Sequence, residues 1–286
     1  MGRSDFLYSG FVSRMKHEPT PCQNRLLESI AEFISADDDD ILVVNGYAGT
    51  GKTTAVSAVI SVLKEYKVKS VLLAPTGRAA KVLSGYAGQP AYTIHKHIYR
   101  QKSVGGDGFG QFTLAPNKDK DTLFVVDEVS LIGIDAGQQQ STTAFGSGNL
   151  LDDLISFVRS GSGCKVILIG DSAQLPPVGL DASPALSKDY MAMMGGIGFV
   201  ELTTVVRQQQ ESGILYNATL VRQLISDLDY GPGVMDLEDL CLETAQFDDI
   251  ETLIEMGYEE NDESLIPEIE AELNEFIATY ENIRIK

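Results

Sequence analysis

The 286-residue sequence predicts an α/β fold, a mainly parallel sheet with helices on both faces. Two observations carry that expectation. Short apolar runs recur at residues 41–45, 70–74, 122–127, 165–170 and 198–202, and they lack the polar alternation of half-exposed strands. Helical periodicity stands between them, and the first run passes through a glycine-rich loop directly into a helix.

Taken in order, Leu26, Leu27, Ile30, Phe33 and Ile34 recur at helical spacing before ADDDD at 36–40 closes that segment. ILVVN at 41–45 is the first strand, and KTTAVSAVISVLKEY at 52–66 resumes the helical period. A further helix is expected over 150–159. The glycine-rich segments 103–110 and 137–148 read as surface loops or insertions, and no internal repeat is present. After residue 225 the chain turns acidic, with helical periodicity at 248–258 and 267–280. The expected organisation is one domain over 1–225, then an acidic helical connector, or the start of an incomplete second domain, over 226–286.

With 43% hydrophobic residues the chain can bury a full-sized core. No run of eighteen apolar residues occurs, and the first 21 residues lack the apolar stretch of a secretory signal, so a soluble cytoplasmic protein without a membrane partner is expected. Cys22, Cys164 and Cys241 stand far apart with no paired spacing, which argues against a disulfide framework or a zinc site, and no other Cys or His cluster joins His95 and His97. The net charge of −19 argues at first against nucleic acid, but residues 226–286 hold 19 acidic and 2 basic residues, leaving 22 acidic and 20 basic over 1–225.

Three motifs carry chemistry. Gly46, Gly51, Lys52 and Thr53 fit G-x-x-x-x-G-K-[ST] between a strand and a helix. In such a loop the backbone N–H groups of residues such as Ala48, Gly49, Thr50 and Thr54 face phosphate oxygens, Lys52 reaches the terminal phosphates of ATP, and the Thr53 hydroxyl ligates Mg²⁺. LFVVDEVS delivers Asp127 and Glu128 to the carboxyl edge of the sheet, where Asp127 can hold Mg²⁺ through water and Glu128 can orient the attacking water. LIGDSAQLPPVG brings Gln174 from another strand end toward the γ-phosphate; its Pro176 and Pro177 can also simply stiffen the loop.

The order of these motifs resembles superfamily 1 DNA helicases of the RecD-like, 5′-to-3′ branch, which includes the α subunit of exodeoxyribonuclease V. That resemblance covers most of residues 20–225 and implies the first RecA-like motor domain, with ATP and Mg²⁺ as cofactors, single-stranded DNA as partner, and work in DNA repair and recombination. TPCQ at 20–23 looks like the family's Q motif, which would put Gln23 against adenine. APTGRAAKVL at 74–83 matches motif Ia, implying that Pro75 and Thr76 face the DNA backbone, and TIHKHIY at 93–99 makes Thr93 and His95 further DNA candidates. LTTVVRQQQESGIL at 202–215 resembles motif IV, in which Arg207 would touch the γ-phosphate. Plainer readings stand beside these: Thr76 as a helix cap, His95 as a packed histidine, Arg207 as a surface ion pair.

No segment after Arg222 resembles the family's second motor domain, so unwinding by this chain alone is not expected. An ATP-binding module without turnover is the alternative function, and a small-molecule phosphotransferase a more distant one, because the GDSAQLPPVG relay has no evident use there.

Overall fold

The computed structural model describes residues 2–36, 38–47, 49–101, 111–133, 144–174, 176–177 and 179–203. Helices α1 (Arg3–Ser13) and α2 (Pro21–Ser35) precede β1 (Ile41–Gly46), α3 (Lys52–Glu65), β2 (Ser70–Ala74) and α4 (Gly77–Ala87). The chain continues through β3 (Ala91–Thr93), α5 (Ile94–Ile98), β4 (Tyr99–Gln101), β5 (Gln111–Leu114) and β6 (Leu123–Val126). It then forms β7 (Ala144–Phe145), α6 (Leu150–Ser160), β8 (Lys165–Gly170), α7 (Lys188–Ala192) and β9 (Ile197–Leu202).

The main sheet has six strands in the order β3-β2-β6-β8-β1-β9, and every pairing is parallel. Its apolar strands feed two cores because successive side chains point to opposite faces. Leu42 and Val44 of β1, Leu123 and Val125 of β6, and Ile167 and Ile169 of β8 join α1, α2 and α3 on one face. Ile41, Val43, Phe124, Val126, Val166 and Leu168 join α5 and α6 on the other. Fully burying one such side chain contributes about 1.5–3 kcal/mol, so the central strands tolerate no polar alternation.

The expected fold class is therefore the observed one, and the five expected strands and three expected helices fall within a residue or two of their places. The short elements β3, α5 and α7 were not legible, nor was α1. A small second sheet, order β4-β5-β7, was also unforeseen. It corrects the reading of 137–148 as a loop throughout: Phe145 stacks on Phe112 with ring centroids 4.5 Å apart, and Gly146 and Gly148 turn the chain into α6. Residues 103–110 and 137–143 lie outside the described residues, as do Arg207, the 225/226 boundary and the acidic segment. Cys22 and Cys164 are buried. Among the described residues, no helix is long and apolar enough to cross a membrane.

Candidate functional site

β1 and β6 flank β8 in the sheet, so the glycine loop, Asp127 and the β8 loop emerge side by side at one edge. The loop after β1 needs left-handed backbone at Gly49 and Gly51, both at φ 79°, a conformation costly for residues with a Cβ. Gly46 is held by space: a Cβ there would lie 3.0 Å from Lys52 Cδ and 3.1 Å from Leu202 Cβ. Ala48 lies outside the described residues. Thr50 is buried, and its hydroxyl donates to the Tyr47 carbonyl at 2.8 Å.

Lys52 opens α3 and folds over the loop, donating to the carbonyl oxygens of Gly46 and, at 3.0 Å, Tyr47, with Asp171 Oδ2 at 3.9 Å. Thr53 follows at the helix N-terminus, where backbone N–H groups and the helix dipole favour an anion. Lys52, Thr53, Asp127, Glu128 and Gln174 line one cavity, which is the convergence expected of them. Thr54 borders a neighbouring cavity with Arg14, Ser57 and Ser61.

Asp127 follows β6 and stays anchored to β2 through its N–H, 3.0 Å from the Leu73 carbonyl. Glu128 turns into the left-handed region at φ 58° and donates its N–H to Asp127 Oδ1 at 3.0 Å. Burial pushes the Glu128 carboxyl above its ordinary range and Asp127 adds to the rise, while Lys52 and a hydrogen bond with Gln174 oppose it. Gln174 accepts from the Ser130 hydroxyl at 3.0 Å, leaving its amide nitrogen to serve Glu128. The cavity thus offers one cation, two hydroxyls, three carboxylates and a carboxamide, from Lys52, Thr53, Tyr86, Asp127, Glu128, Asp171 and Gln174, a donor set that fits a Mg²⁺-bound triphosphate.

Gln23 shows a local role. Its Oε1 accepts from Thr20 N at 3.0 Å, completing a capping box at the start of α2, and its Nε2 donates to the Thr50 carbonyl at 3.1 Å. Both ends of the amide are engaged, so Gln23 braces the phosphate loop from below. Thr76 and Thr93 cap α4 and α5, accepting from Ala79 N at 3.2 Å and Lys96 N at 3.3 Å. Pro75 precedes the first of these caps at the end of β2, outside the cavity's lining. His95 packs edge-on against Phe145, centroids 5.2 Å apart. These placements match the plainer readings and are compatible with an exposed backbone contact at Thr76.

Sequence reasoning missed Tyr86. It lies on α4, lines the same cavity and donates its hydroxyl to Asp127 Oδ2. Burial, with Asp127 and Glu128 beside it, pushes the phenol far above its ordinary value, so it acts as a donor. No motif marks it, because the contact joins two segments 41 residues apart. A second missed signal is legible by counting: residues 66–101 carry six basic residues and no acidic one, within a chain of net charge −19. Arg78, Lys81, Lys96 and Arg100 of that stretch are exposed.

The AAA domain family matches residues 21–224. The ATP-dependent RecD2 DNA helicase of Deinococcus radiodurans is 33% identical over 178 residues, covering 62% of this chain and 21% of that protein. A conjugal transfer protein TraA of Rhizobium radiobacter is 30% identical over 60% of this chain and 13% of its own length. The ATP-dependent DNA helicase dda of Enterobacteria phage T4 is 29% identical over 48% of this chain and 28% of its own. The chain thus spans between about an eighth and a little over a quarter of the length of these relatives. With the family match covering most of the chain, the chain belongs to the AAA domain family.

Proposed function

We propose that this domain binds ATP with Mg²⁺ and hydrolyses it, coupling turnover to single-stranded DNA as part of a DNA helicase. The observation that carries the reading is the shared cavity of Lys52, Thr53, Asp127, Glu128 and Gln174. Lys52 binds the terminal phosphates; Thr53 and Asp127 hold the cation, Asp127 through water. The cation, when bound, neutralises charge on the phosphate oxygens. Glu128 orients the attacking water and receives its proton, and Gln174, bonded to Glu128, senses the γ-phosphate. Arg207 is assigned to charge stabilisation on the resemblance alone, as are 5′-to-3′ polarity, a place in DNA repair or recombination, and cytoplasmic residence.

The DNA path is assigned to the edge formed by β2, α4, β3 and α5, where Pro75, Thr76, Thr93 and His95 stand among the exposed basic residues. Local positive charge matters here because phosphate contacts supply most nonspecific affinity.

Nucleotide binding tests the cradle. Lys52→Ala is expected to weaken ATP affinity by roughly 10–100-fold, the value of a lost charge-assisted hydrogen bond of about 1.5–3 kcal/mol. Equal affinity in both proteins would remove the phosphate reading. Glu128→Gln should keep binding and lose turnover; turnover at the wild-type rate would assign the water to another group. Hydrolysis at one rate with and without single-stranded DNA would remove the coupling.

A further inference from the structure

We infer that Tyr86 is a positioning residue for the metal carboxylate: its hydroxyl sets the orientation of Asp127 and ties α4 to the nucleotide site. The inference rests on the phosphate-site reading and extends it to a residue on a different element.

Two donors hold the Asp127 carboxylate, one on each oxygen. Glu128 N–H reaches Oδ1 at 3.0 Å and the Tyr86 hydroxyl reaches Oδ2. A carboxylate held at both oxygens has its plane set, so the lone pairs left for the cation's water point in one direction. Tyr86 is itself held at two points. Its ring packs against the core on the α1–α3 face, and its backbone carbonyl accepts the Ser57 hydroxyl of α3 at 2.9 Å. Since α3 begins at Lys52, the phosphate-binding helix and the metal carboxylate share one brace. A neutral phenol suits the place better than lysine would, because it orients the carboxylate without neutralising it.

A hydroxyl that merely satisfied its own hydrogen bond would leave cation affinity untouched when removed. Partners that orient a metal's direct ligands typically contribute about 10–100-fold in affinity; Asp127 reaches the cation through water, one step further out, so the lower end of that range applies to Tyr86. Tyr86→Phe keeps the ring and deletes the donor. With the full chain and ADP, titration of Mn²⁺ followed by the electron paramagnetic resonance of the free ion is expected to show about tenfold weaker binding in Tyr86→Phe. Nucleotide affinity in the presence of a chelator should be unchanged. The Mg²⁺ concentration that half-saturates ATP hydrolysis should rise by the same factor. Mn²⁺ affinity within twofold of wild type, with nucleotide binding intact, would overturn the inference alone. Wild-type protein that binds no Mn²⁺ with ADP would overturn the phosphate-site reading and this inference with it. Should Tyr86→Phe fail to fold, Ser57→Ala, which releases the carbonyl of residue 86, must weaken Mn²⁺ in the same direction, and an unchanged affinity there would count equally against the proposal.

Discussion

Glu128 combines an uncommon backbone, φ 58°, with a carboxyl raised by burial and by Asp127. A non-glycine residue in the left-handed region costs roughly 1–2 kcal/mol, and such strain clusters at sites of function. The raised carboxyl has a readable consequence. Its basic form is lost as pH falls through a value above the ordinary carboxylate range, so the acid limb of ATP hydrolysis should lie above that range, and a pH profile of the rate checks it. Gly146 is limited by both backbone and space: at φ 47°, a Cβ would run into the Asp153 carboxylate and lie 2.7 Å from Tyr99 Cε1. Asp153 is buried and accepts from Tyr99 at 2.6 Å and Ser147 N at 2.9 Å, so the clash has nowhere to relax. Gly146→Ala should destabilise by about 2–4 kcal/mol in denaturant unfolding. Glu128 stands out in the sequence by its motif, but its left-handed backbone does not, and the crowding at Gly146 is set by Tyr99 and Asp153, which are distant along the chain.

Elements were more legible where a local rule sufficed. The strand, loop and helix from Ile41 to Glu65 follow from an apolar run, two left-handed glycines and a helical period. Thr20 begins α2 by a capping box, and Asn149 begins α6 by accepting from Leu151 N at 3.1 Å and Asp152 N at 3.2 Å. Asn149→Ala should therefore cost about 1 kcal/mol, seen as a lowered midpoint of thermal unfolding. Its Nδ2 also donates to Asp152 Oδ2 at 2.8 Å and the Tyr190 hydroxyl at 3.1 Å, so the loss should not fall at the lower end of cap losses. The strands β3, β4 and β7, of two or three residues, were illegible because they carry too few residues to show a period and exist through pairing. β7 exists through its pairing with β5, where Phe145 stands opposite Phe112 and stacks on it.

For the whole molecule, burial and charge are distributed unevenly, and both can be tested. His97 lies against Phe124 and Phe157 beneath the main sheet, and burial lowers its affinity for a proton. The unfolded chain then binds the proton better, so the stability associated with neutral His97 is present above its ordinary value of 6.5 and is lost as pH falls below it. His97→Phe should reduce the acid-side fall in the unfolding midpoint. Charge is likewise segregated: residues 226–286 hold most of the net −19, while 66–101 hold six basic residues and no acidic one. Removing 226–286 should raise affinity for single-stranded DNA at low salt, with the gain fading as ionic strength passes about 0.15 M. An affinity that did not change at low salt would show that the acidic segment has no electrostatic influence on binding.

The places of the buried strands along the chain, the phosphate-loop motif and the carboxylate pair were legible from local chemistry, because strand burial, left-handed glycine and helix N-terminal dipoles each leave a mark within a few neighbouring residues. The brace from Tyr86 to Asp127, the engagement of Gln23 by Thr50, and the aromatic cluster around Phe145 emerged when the chain closed on itself. Each of the interactions that only folding revealed depends on a distance between separate segments, which a linear pattern does not encode.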